Sequence, residues 1–91
     1  MNQSDDKLTM YGLEPPPSPN LEALRVAARA IKESRPGLTL DVLAARSGMS
    51  RNTVINLLTG ARDGNLSSWY LLAHGLGVSL SDLVTHLDDQ N

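Results

Sequence analysis

The stretch that decides the fold is TLDVLAARSGMSRNTVINLLTGAR, residues 39–62. Leu43 and Ala44 have the spacing of an inner helical face, and Ala44 is small enough to let two helices cross closely. Gly48 can adopt the positive φ that ends a helix, and Ser50 can cap the next one. The inner face of that second helix is formed by Val54, Leu57 and Leu58. The pattern predicts a helix-turn-helix.

The outward face of the second helix carries an unusual set of side chains. It combines a cation, two amides, a β-branched residue and a hydroxyl, from Arg51, Asn52, Ile55, Asn56 and Thr59. A guanidinium can reach guanine O6 and N7 together, an asparagine can pair with adenine, and an isoleucine can meet a thymine methyl group. This face is typical of a helix that reads base edges in a major groove. The predicted base-reading residues are Arg51, Asn52, Ile55 and Asn56.

With these residues the sequence resembles the lambda-repressor-like (Cro/C1, or XRE) helix-turn-helix proteins. The resemblance covers roughly residues 20–84. Its most specific parts are LAARSGMSRNTVINLLTG, residues 43–60, and LAHGLGVSLSDLV, residues 72–84, which is similar to the family's fourth and fifth helices. The resemblance implies an all-α, compact five-helix domain that binds double-stranded DNA.

The resemblance also separates base contacts from contacts to the DNA backbone. Positions matching Thr59 and Arg62 lie beside the phosphates where the chain leaves the groove. The family commonly has a glutamine that contacts a phosphate at the position of Leu40, and leucine cannot make that contact. Thr39 or Ser50 would therefore supply backbone anchoring. The full set expected at the DNA backbone is Thr39, Ser50, Thr53, Thr59 and Arg62.

Length and composition limit the class of protein. Ninety-one residues suit one small domain, and 3% aromatic residues with no Phe indicate an aliphatic core. The absence of cysteine excludes disulfides and thiolate metal sites. The first ten residues lack the features of a secretory signal, and no run of about 18 apolar residues is present. We expect a soluble, cytoplasmic protein with no membrane contact.

The charge is unevenly distributed along the chain. The net charge is −2, yet residues 20–64 hold seven basic and four acidic residues, whereas the rest of the chain holds one basic and six acidic residues. This asymmetry separates a basic half suited to phosphates from an acidic remainder. In the first helix Arg25, Arg29 and Lys32 recur on one face. They are interpreted as a solvated surface with pairs such as Arg29 and Glu33, or, alternatively, as partly phosphate-facing.

Three segments are predicted. Residues 1–19 form a flexible Pro-rich N-terminal arm, residues 20–87 the helix-turn-helix domain, and residues 88–91 a polar C-terminal tail. The arm is a disordered tail or, alternatively, docks a protein partner or a second subunit through Leu8, Tyr11 and Leu13. The predicted helices are 20–34, 40–46, 51–58, 66–76 and 80–86. The predicted core is Leu24, Ile31, Leu43, Val54, Leu57, Leu66, Trp69, Leu72, Ala73, Leu76 and Leu83.

The fourth helix is apolar over more than one face, which predicts either a central helix or a surface shared with another subunit. We expect a homodimer, at least on DNA, because one helix-turn-helix makes too few base contacts for strong discrimination. The expected contact residues are Leu71, Leu76, Val84 and Leu87.

The sequence shows no set of residues with the spacing typical of a catalytic site. His74 and His86 have no metal-ligand spacing, although Asp82 and His86 are close enough for an ion pair, and no serine has an accompanying base. We therefore expect no enzyme activity, no metal and no cofactor. The leading hypothesis is a sequence-specific DNA-binding transcription regulator, a repressor of bacterial or phage type that acts by operator occupancy. The alternative is a protein-interaction module, such as an antitoxin or adaptor, with the same fold.

Overall fold

The computed structural model describes residues 18–89, and in this range the chain forms five α-helices and no strand. They are α1 Leu21–Glu33, α2 Leu40–Ser47, α3 Arg51–Thr59, α4 Leu66–Leu76 and α5 Leu80–Val84, and a 3₁₀ turn, Thr85–Asp88, continues α5. The predicted all-α, five-helix architecture is confirmed. None of these helices is long and apolar enough to cross a membrane.

The predicted terminal segments fall largely beyond this range. The arm, residues 1–19, lies outside the described residues except for Ser18 and Pro19, and so do its candidate docking residues Leu8, Tyr11 and Leu13. Residues 90 and 91 of the predicted tail also lie outside. Asp88 belongs to the 3₁₀ turn, so helical structure extends two residues further than the 80–86 predicted from the sequence.

Every α-helix begins at a polar cap residue, because each first turn leaves backbone N–H groups without a helical acceptor. In each case the side-chain oxygen accepts a hydrogen bond of 2.8–3.2 Å from the backbone N–H three residues later. The cap residues are Asn20, Thr39, Ser50, Asn65 and Ser79. At Ser79 the carboxylate of Asp82 accepts from the cap backbone in return, which completes a capping box. The helix starts are thus fixed locally.

The core is aliphatic with one tryptophan. Its buried members are Leu24, Ala28, Leu38, Leu43, Ala44, Val54, Leu57, Leu58, Trp69, Leu72, Ala73, Leu76 and Leu83. Ile31, which was predicted to be in the core, packs against it while half-buried. The prediction that Leu66 is buried is wrong, since 70% of this residue is exposed. Leu66 is the first residue of α4, and side chains of a helix tilt toward its N-terminus, so this one points past the packed part of the helix.

Gly75 sets how closely α4 approaches α2. A Cβ atom on Gly75 would lie 2.9 Å from Leu43 Cδ1 and 3.2 Å from the Leu43 carbonyl oxygen, so the two backbones are too close for a larger residue. Ser47, at the same crossing, is buried, and its hydroxyl donates to the Ala44 carbonyl. This close crossing holds the first helix of the motif against the rest of the domain.

Candidate nucleic-acid interface

The surface of α3 divides as its amphipathic pattern requires. Val54, Leu57 and Leu58 are buried in the core. Arg51, Asn52 and Thr59 are exposed, while Thr53, Ile55 and Asn56 are half-buried. Asn52 therefore lies near the middle of the outward face, and Ile55 and Asn56 lie toward its two edges, where neighbouring elements partly cover them.

Ile55 borders a cleft between α3 and α1. The lining of this cleft includes Leu40, the residue that stands where the family commonly has glutamine, together with charged side chains. The remaining lining residues are Arg29, Lys32, Glu33, Leu58 and Thr59. The Ile55 side chain is consequently less exposed than its place on the outward face suggested, with part of its surface directed into an apolar cleft.

Asn56 borders a second cleft on the other side of α3. This cleft is more polar, and it is lined by Thr53, Asn56, Leu57, Arg62, Asp63, Gly64, Asn65 and Ser68. It lies between the outward face of α3 and the loop that leads to α4. The structure thus brings together three predicted site residues, Thr53, Asn56 and Arg62, although they come from two different elements.

Arg51 makes an ion pair that links the two helices of the motif. Its Nε atom lies 3.1 Å from Oδ1 of Asp41, in the first turn of α2, and both side chains are largely exposed. Because the carboxylate lies beside Nε, the end of the guanidinium that carries the two Nη atoms is left for other partners. Asp41 was not predicted to belong to the site. Ten residues separate the pair in sequence, and only the turn between α2 and α3 brings them together.

The hydroxyl groups expected at the DNA backbone already take part in local hydrogen bonds. The Thr39 and Ser50 side chains accept from backbone N–H groups as helix caps, and Ser50 Oγ also lies 2.8 Å from Thr53 Oγ1. The Thr59 hydroxyl donates to the Ile55 carbonyl at 2.8 Å. Arg62 differs from these residues. It is exposed and has no ion pair within residues 18–89.

The loop that carries Arg62 is anchored at the next residue. Nη2 of Arg25 lies 2.7 Å from Oδ1 of Asp63, and the Trp69 indole N–H donates to the Asp63 carbonyl at 2.8 Å. The Arg25 guanidinium also packs against Gly60, where a Cβ atom would lie 3.1 Å from its Cζ. The side chain of Asp63 thereby links the loop to α1, and the backbone carbonyl of Asp63 links it to α4.

These contacts correct the interpretation of the basic face of α1. Arg25 is buried rather than solvated, and it is not available to a phosphate. Arg29 pairs with Glu22 at 3.2 Å instead of Glu33, and it donates to the Leu58 carbonyl near the end of α3. Sequence spacing located the cationic face but could not reveal partners more than 25 residues away.

The acidic partner of His86 differs from the one expected. His86 Nδ1 lies 3.1 Å from Oδ2 of Asp89 rather than beside Asp82, whose carboxylate is part of the capping box. Within residues 18–89, no three His, Cys, Asp or Glu side chains are grouped to hold a metal ion.

The comparisons with known proteins agree with this geometry. The helix-turn-helix family matches residues 29–83, which is more than half of the chain. The chain is 42% identical over 53 residues to the uncharacterized HTH-type transcriptional regulator y4dJ of Sinorhizobium fredii, covering 58% of this chain and 69% of that protein. No solved structure matches the chain. With its α2–turn–α3 unit inside the matched residues, the chain belongs to the helix-turn-helix family, in its XRE branch.

Proposed function

We propose that this chain is a DNA-binding transcription regulator that recognises a specific double-stranded sequence through α3. The observation that carries the proposal is the outward face of α3, where Arg51 and Asn52 are exposed on a helix anchored from behind by three buried residues. A rigid helix with such a face matches the requirements of major-groove recognition. The name of the related y4dJ protein, an HTH-type transcriptional regulator, supports the same proposal.

Arg51, Asn52, Ile55 and Asn56 are the proposed base readers. Arg51 and Asn52 present hydrogen-bond donors that suit guanine and adenine, respectively. Ile55 would place part of its side chain against a thymine methyl group from the edge of its apolar cleft. Asn56 would act from the other edge, close to the loop.

The proposed backbone contacts are unequal in strength. A phosphate accepts hydrogen bonds, so a useful partner must have a donor to offer. Arg62 supplies a charge and several donors, whereas the Thr59 hydroxyl would first have to leave the Ile55 carbonyl. Thr39, Ser50 and Thr53 would contribute hydroxyl groups at the start of the two motif helices. We therefore assign the main electrostatic contact to Arg62.

We further propose that the protein binds DNA as a homodimer and represses transcription by occupying its operator. Of the expected dimer contacts, Leu76 is fully buried and cannot meet a partner, and Val84 and Leu87 are only half-exposed. Leu71 remains, with its exposed neighbours Leu66 and Tyr70, as an apolar surface on α4. A dimer joined there would have to present its two recognition helices about 34 Å apart to enter successive major grooves.

The test is selection of bound sequences from a randomised DNA library by the purified protein, followed by affinity measurement on the enriched site. We expect one enriched motif that Arg51→Ala relaxes at one base pair. Enrichment of no motif, together with no binding at low salt, would reject the proposal. That result would instead favour a protein-interaction module such as an antitoxin or adaptor, for which the net charge of −2 and the apolar surface of α4 are the supporting observations.

A further inference from the structure

Asp41 is the one acidic side chain that forms an ion pair with a proposed base reader among residues 18–89. Its Oδ1 atom lies 3.1 Å from Nε of Arg51, and the side chains are 83% and 59% exposed. Neither side chain is held there by burial, so their mutual contact is what orients them. Exposed ion pairs of this kind add little to folding stability. A role in recognition therefore needs an argument of its own.

We infer that Asp41 is a specificity-determining residue, which positions Arg51 for base reading and penalises its use as a phosphate contact. This inference rests on the proposed function. The guanidinium has five N–H donors, and the side of it that carries Nε lies beside the Asp41 carboxylate. A bidentate contact to guanine needs two donors, and the Nη atoms can supply them while Nε stays on Asp41. On its selected DNA site, Arg51 can therefore contact the guanine and Asp41 at the same time.

On other sequences the same pair is unfavourable. If Arg51 turns to a phosphate, it must leave Asp41 or draw that carboxylate toward the negatively charged DNA backbone. Like charges in close proximity raise the free energy of the complex. Asp41 would thus weaken binding to unrelated DNA more than binding to the selected site, which is how a repulsive element increases specificity.

The decisive variant is Asp41→Asn, which keeps the shape of the side chain and removes its charge. Affinity is measured on the selected site, on the same site changed at the base pair where Arg51→Ala relaxes preference, and on random DNA. We expect tighter binding to random DNA and a loss of about 5-fold or more in the preference for the selected base pair. In an Arg51→Ala background, Asp41→Asn should leave that preference unchanged, since the pair acts as a unit.

Glu33→Gln is the matched control. Glu33 lines the cleft beside Ile55 and Thr59, so this variant removes a carboxylate from the same side of the domain without touching the Arg51 pair. It should raise affinity for all DNA by one common factor. If Asp41→Asn behaves in the same way and preserves the preference, Asp41 is only a general source of repulsion and the inference is overturned.

A measurement without DNA distinguishes failure of this inference from failure of the proposed function. In the free protein, the NMR resonance of the Arg51 Nε–H should shift on Asp41→Asn and stay in place on Glu33→Gln. An unchanged resonance in Asp41→Asn would overturn the inference even if the wild-type protein selects a clear motif. A wild-type protein that selects no motif would overturn both.

Discussion

Arg25 and Asp63 form an ion pair of 2.7 Å whose two members lie in very different surroundings. The Arg25 side chain is 11% exposed, whereas the Asp63 side chain is 70% exposed. Nε of Arg25 is buried without a hydrogen-bond partner, and its other acidic neighbour, Glu22, is 3.8 Å away. The buried cation thus depends on Asp63 far more than Asp63 depends on the cation.

This asymmetry predicts unequal effects of removing either member. Asp63→Ala leaves the buried guanidinium with a distant carboxylate, so it should lower the free energy of unfolding by about 1–3 kcal/mol. Arg25→Met keeps most of the buried stem and leaves an exposed carboxylate that water can solvate. Its cost should stay below about 1 kcal/mol. Urea denaturation of both variants measures the difference, and an Arg25→Met variant that is the less stable of the two would contradict this account.

Leu57→Ala tests the assignment of the inner face of α3. Leu57 is 2% exposed, and truncating a buried leucine costs about 2–5 kcal/mol through lost burial and the remaining cavity. Leu66→Ala is the control, because that leucine is largely exposed and its change should lie within about 0.5 kcal/mol of zero. Equal unfolding free energies for these two variants would show that α3 is packed with a different face inward.

Gly75→Ala separates helix propensity from packing. In an open helical position, alanine is favoured over glycine by about 1 kcal/mol. At Gly75 the new Cβ atom would meet the Leu43 carbonyl oxygen at 3.2 Å and the Ser47 Cβ at 3.0 Å, and backbone cannot move aside cheaply. We expect a net loss of about 1–3 kcal/mol in thermal or urea unfolding. Exposed His74→Ala, on the same helix, should change little, and a stabilised Gly75→Ala would contradict the close crossing.

The elements that were predictable from sequence are those fixed by neighbours a few residues apart. Asn65 caps α4 three residues before the N–H it binds, and the Ser79–Asp82 box does the same for α5. Helical spacing likewise located Val54 and Leu57 in the core. Leu66 has that same spacing, but the period carries no information about where the core ends along the helix axis.

The site was predictable only as a set of side chains on one helix. Its electrostatic partners come from other elements, since Asp41 lies across the motif turn and Asp63 lies 38 residues after Arg25. Nothing in the spacing of α1 distinguishes Arg25, which is buried, from Arg29, which is partly exposed. Those distinctions arise from tertiary packing, and they decide which cations remain available to a ligand.

Tyr70→Glu tests the proposed dimer surface. Tyr70 is 59% exposed, so the charge should leave unfolding of the single subunit within about 0.5 kcal/mol of wild type. It should nevertheless weaken cooperative binding to a DNA fragment carrying two half-sites, because a carboxylate would be buried between two copies. Val26→Glu, at another exposed apolar position on α1, is the control. Unchanged cooperativity in Tyr70→Glu, or one protomer per intact site at saturation, would reject this surface.

The last prediction separates the proposed base reader Arg51 from the proposed backbone contact Arg62. Arg51→Ala should cost about 1–3 kcal/mol on the selected site and relax the preference at one base pair, because a bidentate contact to one base is lost. Arg62→Ala should weaken binding to the selected site and to random DNA by the same factor. It should also lower the slope of log affinity against log salt by about 1 per subunit, since one fewer counterion is released.

Both variants are measured on the selected site and on random DNA across a salt series. Arg51 is ion-paired with Asp41 in the free protein, whereas Arg62 has no ion pair within residues 18–89, so the loss of Arg62 should reduce the general electrostatic attraction more than the loss of Arg51 does. If Arg51→Ala reduces both affinities by one factor, Arg51 contacts a phosphate and its assignment as a base reader is wrong. If Arg62→Ala instead changes the preferred sequence, the loop reaches into the groove and the division between the two residues fails.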